Sequence, residues 1–314
     1  MERCSEMRTE FCSILGGSTH IIKFGQLPNK KQHAPYIFLV IPGNPGIIEY
    51  YEEFLRVLYF NTGSRIPVWG ISHAGHVSVP KSASGFSEIL KDPPGVFSLG
   101  GQIKHKIEFI MQRIPDNVRL ILIGHSIGCY MILKLMDQVP HKILRCFLLF
   151  PTIERMALSP QGVYVAPLLY YLRWLAVLAV KALSYLSPHV QYRLILRYFK
   201  DFKVPECALN ATMSLFDPVC VNKATFMANQ EMQQVTRLPE DIIRKNISKL
   251  SFYYGSCDHW CPKEYCYQLK RKFPHADIYM CQNDFSHAYV LEASDKMADI
   301  IWSWIQKDLH KLKD

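Results

Sequence analysis

Several features that would classify a chain at once are missing from these 314 residues. Met1 to Glu10 carries Glu2, Arg3, Glu6, Arg8 and Glu10 where a signal peptide would have an apolar core, so entry into the secretory lumen is not expected. The ten cysteines show no framework spacing and read as reduced thiols of a cytosol-facing protein, in which the sequons at Asn210 and Asn246 would be silent. No dinucleotide or phosphate-loop fingerprint occurs, so no cofactor is expected. There is no visible internal repeat and no nucleic-acid module, and the basic residues are dispersed, which argues against nucleic acid as a partner. Charged residues are sparse, 20% against 49% hydrophobic, as in a globular chain with ample core. The net charge of +9 favours anionic surfaces, among which a membrane or phospholipid monolayer fits best once the middle of the chain is considered.

What is present begins with Arg119 to Gly128, an apolar strand that runs into Gly-His-Ser-Ile-Gly and is followed by a helix-compatible stretch from Cys129 to Val139. Strand, sharp turn and helix in that order are what a nucleophile elbow requires. Gly124 and Gly128 flank Ser126 where a side chain would crowd the turn. Further strands are expected at Thr19–Phe24, Tyr36–Ile41, Val68–Ser72, Arg145–Pro151, Leu250–Tyr254 and Ala276–Cys281. Helices are expected at Glu49–Tyr59, Leu99–Arg113 and Met297–Lys307, with a Gly- and Ser-rich loop from His73 to Ser87. Strands alternating with helices predict an α/β fold, a mostly parallel sheet covered on both faces.

About a hundred residues separate the strand near Pro151 from the one near Leu250, too many for a plain crossover. This divides the chain into a core (1–153 and 246–314) and a helical, hydrophobic cap insertion (154–245). Val163 to Leu186 is apolar except for Arg173 and Lys181, and Pro167 lies inside it, which disfavours an orthodox transmembrane span. Val190 to Lys200 combines Leu194, Ile195 and Tyr198 with Arg193, Arg197 and Lys200. Two readings remain open. One is an interfacial helix or hairpin over about 163–200 that dips into lipid, with Trp174, Leu175, Val177, Leu178 and Val180 as its apolar contacts. The other is a cap whose apolar face closes over the site. Aromatics, apolars and flanking cations coincide, which favours the first.

A serine hydroxyl needs a base, and the base needs an acid to orient it. Asp258 and His287 each follow a predicted strand, so with Ser126 they meet at the carboxyl edge of the sheet, in the order this architecture demands. Asp217 and Asp284 compete for the acid, and His125, His259 and His275 for the base. Position favours Asp258 and His287. The oxyanion needs two backbone N–H donors. One is expected from Ile127. The other is expected from Pro42-Gly43-Asn44-Pro45-Gly46, where the prolines have no N–H and Asn44, with Gly43 behind it, is the better choice. Cys257, His259, Cys261 and Cys266 invite a zinc reading, but they miss the paired Cys-x-x-Cys pattern and flank the proposed acid, so no metal is expected.

Four segments, Ile41–Gly46, Ile123–Gly128, Tyr254–Pro262 and Asp284–Ala288, resemble the lipid-droplet-associated hydrolases, a family of the α/β-hydrolase superfamily. The resemblance spans nearly the whole chain, apolar insertion included, and Pro-Gly-Asn-Pro-Gly is its most specific part. It implies a serine esterase acting on neutral lipids stored in droplets, with sterol esters the leading candidate, and a part in cholesterol and triglyceride storage. It also implies monotopic association with droplets and endoplasmic reticulum, on the cytosolic face. Two alternatives stand beside it: an acyltransferase using the same three residues, and a droplet-binding protein with a near-silent site that modulates droplet size and turnover.

Overall fold

A computed structural model describes residues 7–27, 36–77 and 95–311. The first six residues, and the Gly- and Ser-rich loop from position 78 onward, lie outside the described residues. The described strands are β1 (Met7–Ile14), β2 (Gly17–Phe24), β3 (Tyr36–Ile41), β4 (Val68–Ile71), β5 (Arg119–His125), β6 (Ile143–Leu149), β7 (Leu250–Tyr254) and β8 (Asp277–Met280). They form one sheet in the order β1-β2-β4-β3-β5-β6-β7-β8. Only the β1–β2 and β2–β4 pairings are antiparallel.

Beyond their first residues the central strands are buried, which is why their sequences read as unbroken apolar runs and not as alternating ones. β1 was not expected from the sequence. Its first half is exposed at the sheet edge and includes Arg8, so it lacks the apolar signal of its neighbours.

The helices that follow are α1 (Glu52–Asn61), α2 (Leu99–Arg113), α3 (Ile127–Gln138), α4 (Gly162–Leu183), α5 (Pro188–Tyr198), α6 (Glu206–Met213), α7 (Pro218–Gln234), α8 (Glu240–Asn246), α9 (Lys263–Lys272) and α10 (Ser294–Lys311). α1 packs with α10, while α3 packs with α2 and α8. Trp304 of α10 stacks on Tyr279 and meets Phe147 and Tyr253, so one aromatic side chain ties together β6, β7 and β8.

Parallel register brings the carboxyl ends of five strands level. Ile41 pairs with Gly124, His125 with Leu149, Leu149 with Tyr253, and Tyr254 with Met280. The segments after β3, β5, β6, β7 and β8 therefore leave from one edge. Helices α4 to α8 occupy the interval between β6 and β7.

Behind β2 and β4 lies a buried polar cluster. Lys106 Nζ donates to the Ser72 carbonyl at 2.9 Å and lies 3.0 Å from His105 Nδ1. Thr19 Oγ1 donates to the Gly17 carbonyl and so accepts from His105 Nε2 at 2.7 Å. His76 Nδ1 donates to the Pro45 carbonyl at 2.6 Å. Burial, reinforced by Lys106, pushes His73 and His105 well down. Burial also takes His76 from its usual 6.5 to about 4, against the opposing Pro45 bond.

A histidine held neutral in the fold stabilises fully above its unfolded pKa and loses that contribution as pH falls toward the folded one. The melting temperature should therefore decline as pH drops from about 6.5 to 4, and His76→Asn should flatten the decline. Scanning fluorimetry across this range checks it; a variant with the wild-type slope would contradict it.

Candidate active site

Ser126 sits between β5 and α3 with φ 53° and ψ −122°. A positive φ is uncommon outside glycine and costs of order 1–3 kcal/mol. The turn is over-determined. Ser126 N–H donates to the Leu149 carbonyl at 3.0 Å, and Cys129 N–H donates to Ser126 O at 3.0 Å. The flanking glycines are required by close approach: a Cβ on Gly128 would lie 2.3 Å from the Ile41 carbonyl oxygen, and one on Gly124 would lie 2.9 Å from Cys129 N.

His287 Nε2 lies 2.9 Å from Ser126 Oγ, and His287 Nδ1 lies 2.6 Å from Asp258 Oδ2. The second distance fixes Nδ1–H as the donor, which leaves Nε2 free to accept the serine proton. Asp258 Oδ1 accepts from Trp260 N–H and Cys261 N–H, and its Oδ2 accepts from the Cys261 thiol at 2.9 Å. Burial alone would raise the Asp258 carboxyl. The charge and hydrogen bond of His287, with the bonds from Cys261 and Trp260, outweigh it and hold the group below its usual range.

The competing residues are bonded elsewhere or lie away from the serine. Asp217 caps α7, its Oδ1 accepting from Val219 N–H at 2.8 Å. Asp284 accepts from Ser256 Oγ at 2.7 Å, and His259 is exposed. His275 precedes β8, at the opposite edge. Among the described residues, the one group of metal-ligand type is Asp258, Cys261 and His287, whose ligand atoms lie within 4.8 Å of one another. Those atoms are already joined by the hydrogen bonds above; Cys257, His259 and Cys266 are not part of the group.

His125 is not a second base. Its Nε2 lies 2.8 Å from the His287 carbonyl, which can only accept, so Nε2 carries the proton. Its Nδ1 accepts at 2.6 Å from the Tyr51 hydroxyl, whose oxygen accepts in turn from Gly43 N–H at 2.8 Å. Burial drives His125 down to about 3 and raises Tyr51, so both stay neutral and the chain has one direction. It links the Pro42–Gly46 loop to the backbone of His287. Tyr51 had no motif to mark it in the sequence.

The Pro42–Gly46 loop touches the serine directly: a Cβ on Gly43 would lie 2.8 Å from Ser126 Cβ. Gly43 N–H is spent on Tyr51. The Asn44 side chain donates to the Ala224 carbonyl and to Glu231 Oε1.

Two cavities flank this centre and share Asn44, Pro45, Leu215 and His287. One, of about 500 Å³, also borders Ser126, Val165, Leu169, Val180, Met232 and Trp260. The other, of about 410 Å³, borders Tyr50, Tyr51, Phe199, Thr212 and Val290. The first opens beneath α4, the one helix among the described residues long and apolar enough to cross a membrane.

On α4, Val165, Ala166, Leu169, Arg173, Val177 and Val180 form a half-buried stripe, while Leu168, Tyr171, Trp174, Leu175 and Leu178 are exposed. Of the five residues expected to contact lipid, Trp174, Leu175 and Leu178 therefore face outward, and Val177 and Val180 turn inward. Arg173 is folded onto α7, bonding the Asn222 carbonyl and Oδ1. Gln191 Nε2 joins α5 to the end of α4 by donating to the Leu183 and Leu186 carbonyls.

The family model for lipid-droplet associated hydrolases matches residues 34–290. The chain belongs to that family. It is 38% identical over 314 residues to the lipid droplet-associated hydrolase of Gallus gallus, covering 98% of this chain and 97% of that one. It is 35% identical to that of Homo sapiens over 96% of both chains, and 35% to that of Drosophila melanogaster over 96% of this chain and 99% of the other.

Among solved structures, a haloalkane dehalogenase from Bradyrhizobium elkani superposes with a TM-score of 0.66 at 12% identity, covering 96% of this chain and 98% of that one. A bacterial membrane phospholipase A superposes with the same score at 14% identity, covering 96% and 86%. At such identities the likeness concerns the fold, and the fold is that of the α/β hydrolases.

Tyr51→Phe removes one hydroxyl and leaves Gly43 N–H and His125 Nδ1 buried without a partner. Urea unfolding should show a loss of about 1–3 kcal/mol; a neutral substitution would mean that the chain carries no energy.

Proposed function

We propose that the protein is a serine hydrolase of neutral lipid esters that works through an acyl-enzyme. The observation that carries this is the run of contacts from Ser126 Oγ through His287 to Asp258, at 2.9 and 2.6 Å, facing an apolar cavity beneath an exposed apolar helix. Ser126 attacks the ester carbonyl while His287 Nε2 takes its proton. Asp258 holds the tautomer and stabilises the imidazolium, and His287 then passes the proton to the leaving alcohol. Water repeats the cycle and releases the acid.

The oxyanion is met by the N–H groups of Ile127 and Asn44. Pro42 and Pro45 have no N–H, that of Gly43 is committed to Tyr51 and that of Gly46 to the Gly43 carbonyl, which leaves Asn44 as the loop's donor. This chemistry draws its charge stabilisation from backbone dipoles and calls for no cofactor. Residues 1–153 and 246–314 form the catalytic core and 154–245 the cap.

Sterol esters are the favoured substrates. An ester of a fatty acid with a bulky apolar alcohol has two large apolar arms, and cavities of about 500 and 410 Å³ meet at His287. The names of the relatives and the outward face of α4 support work at the lipid-droplet monolayer. The endoplasmic reticulum, on the cytosolic side, is the second surface proposed. Trp174, Leu175 and Leu178 would enter the lipid, with Lys181, Arg193 and Arg197, all exposed, near the headgroups.

A fluorophosphonate probe should label the wild type and not Ser126→Ala, and hydrolysis of an ester panel should fall at least about 1000-fold in Ser126→Ala and His287→Ala. Adding phospholipid-coated droplets should raise wild-type turnover, and the Trp174, Leu175 and Leu178→Ser variant should lose that gain while keeping its labelling. Equal labelling of wild type and Ser126→Ala would overturn the mechanism.

A further inference from the structure

Among the described residues, Glu231 is the one carboxylate bordering the cavity that contains Ser126, and it is almost wholly enclosed, at 1% exposure. It belongs to the insertion, near the end of α7, yet its Oε1 accepts from the side chain of Asn44 at 2.8 Å. The second proton of the same amide goes to the Ala224 carbonyl at 2.9 Å. A backbone carbonyl can only accept, so the amide orientation is determined, and both of its protons are committed to α7.

α7 is firmly placed at this point. Gln230 Oε1 accepts from Leu99 N–H, and the Val235 and Thr236 carbonyls accept from Met156 and Arg155. A leucine would line an apolar wall at least as well as an enclosed carboxyl, which is costly to bury. The bond that this carboxyl makes is to the loop that lies against Ser126.

We propose that Glu231 is a positioning residue, which holds Asn44 from the cap and so fixes the oxyanion loop against Ser126. This rests on the reading of Ser126 as nucleophile and Asn44 N–H as oxyanion donor. The bond couples the two parts of the molecule: the loop that stabilises the tetrahedral intermediate keeps its geometry only while α7 is docked.

The same placement gives a signature in pH. Burial raises the Glu231 carboxyl to about 7 against the opposing Asn44 bond, so the group is neutral below that value and anionic above it. A neutral carboxyl tolerates a developing oxyanion in its own cavity; an anionic one opposes it. The surrounding titratable groups leave the signal readable. His287 shares the cavity. Arg173, from α4, is turned onto Asn222, and Lys223 lies over the Phe97 ring. Glu154 and Arg155 pair with each other, and His76, behind the loop, stays neutral because burial holds it at about 4. Activity should fall above about 7 as Glu231 ionises.

The test measures kcat and KM on a soluble short-chain p-nitrophenyl ester between pH 5.5 and 9 for the wild type, Glu231→Gln, Glu231→Leu, Asn44→Ala and Ser126→Ala. Glu231→Gln keeps an acceptor for Asn44 without a charge, so it should retain activity and lose the descending limb. Glu231→Leu should lower kcat roughly 10- to 100-fold, the scale of a misplaced catalytic group, with KM little changed. Asn44→Ala keeps the backbone N–H and removes the same tether from the other side. It should reproduce the loss, and the double variant Asn44→Ala with Glu231→Leu should be no worse than either single one.

If Glu231→Leu fails to fold, Asn44→Ala and the Glu231→Gln pH profile decide the matter. Wild-type kcat in Asn44→Ala, or an unchanged descending limb in Glu231→Gln, would overturn the role of Glu231. Retained hydrolysis in Ser126→Ala would instead overturn the mechanism on which it rests.

Discussion

The conformation of Ser126, φ 53° and ψ −122°, sits at the end of a buried strand, where a non-glycine residue would relax if its neighbours allowed it. They do not. The Leu149 carbonyl holds its N–H, and the turn of α3 closes so tightly on the Ile41 carbonyl and Cys129 N that residues 124 and 128 have no room for a Cβ. The parallel register that sets Ile41 beside Gly124 is thus what makes Gly128 necessary, while Gly124 is crowded by the first turn of α3. The strain aims the hydroxyl out of the sheet edge, and the loops after β3, β7 and β8 enclose that one oxygen, leaving Ser126 buried.

Around it the site is mostly apolar, and its polar contacts do specific tasks. Tyr51 and His125 run from Gly43 to the His287 carbonyl in a chain whose direction is fixed by chemistry, since its two ends can only donate and only accept. Cys261 and Trp260 hold Asp258 in place for His287. From the other side α7 takes both protons of the Asn44 amide. The core and the insertion therefore grip the same five-residue loop. The outer face of α4 exposes Tyr171 and Trp174, and its inner stripe lines the cavity that contains the serine. One helix thus presents an apolar face to each side, which explains why its sequence reads as apolar all round.

The parts legible in the sequence were those where local and global preferences agree. β3, β7 and α2 fall where their patterns place them, and Ser126, Asp258 and His287 come together as spacing along the strand ends suggested. β1 was missed because an edge strand half in solvent carries no apolar run, and α9 because its polar sequence shows little but basic residues in its last turn. Tyr51 and Glu231 were invisible for another reason. Each acts through a single contact with a residue distant in sequence, and no pattern encodes such a pairing. Val177 and Val180 show the limit of composition: it marks α4 as lipid-seeking but does not say which of its valines turn inward.

The central claim is that Ser126 carries the acyl group during turnover, and covalent trapping tests it most directly. Purified protein mixed with a long-chain p-nitrophenyl ester, quenched in acid within the first turnover and analysed by intact mass and peptide mapping, should carry one acyl group on Ser126. That adduct should decay as product acid appears. Hydrolysis that proceeds with no acyl adduct, or with the acyl group on another side chain, would contradict it.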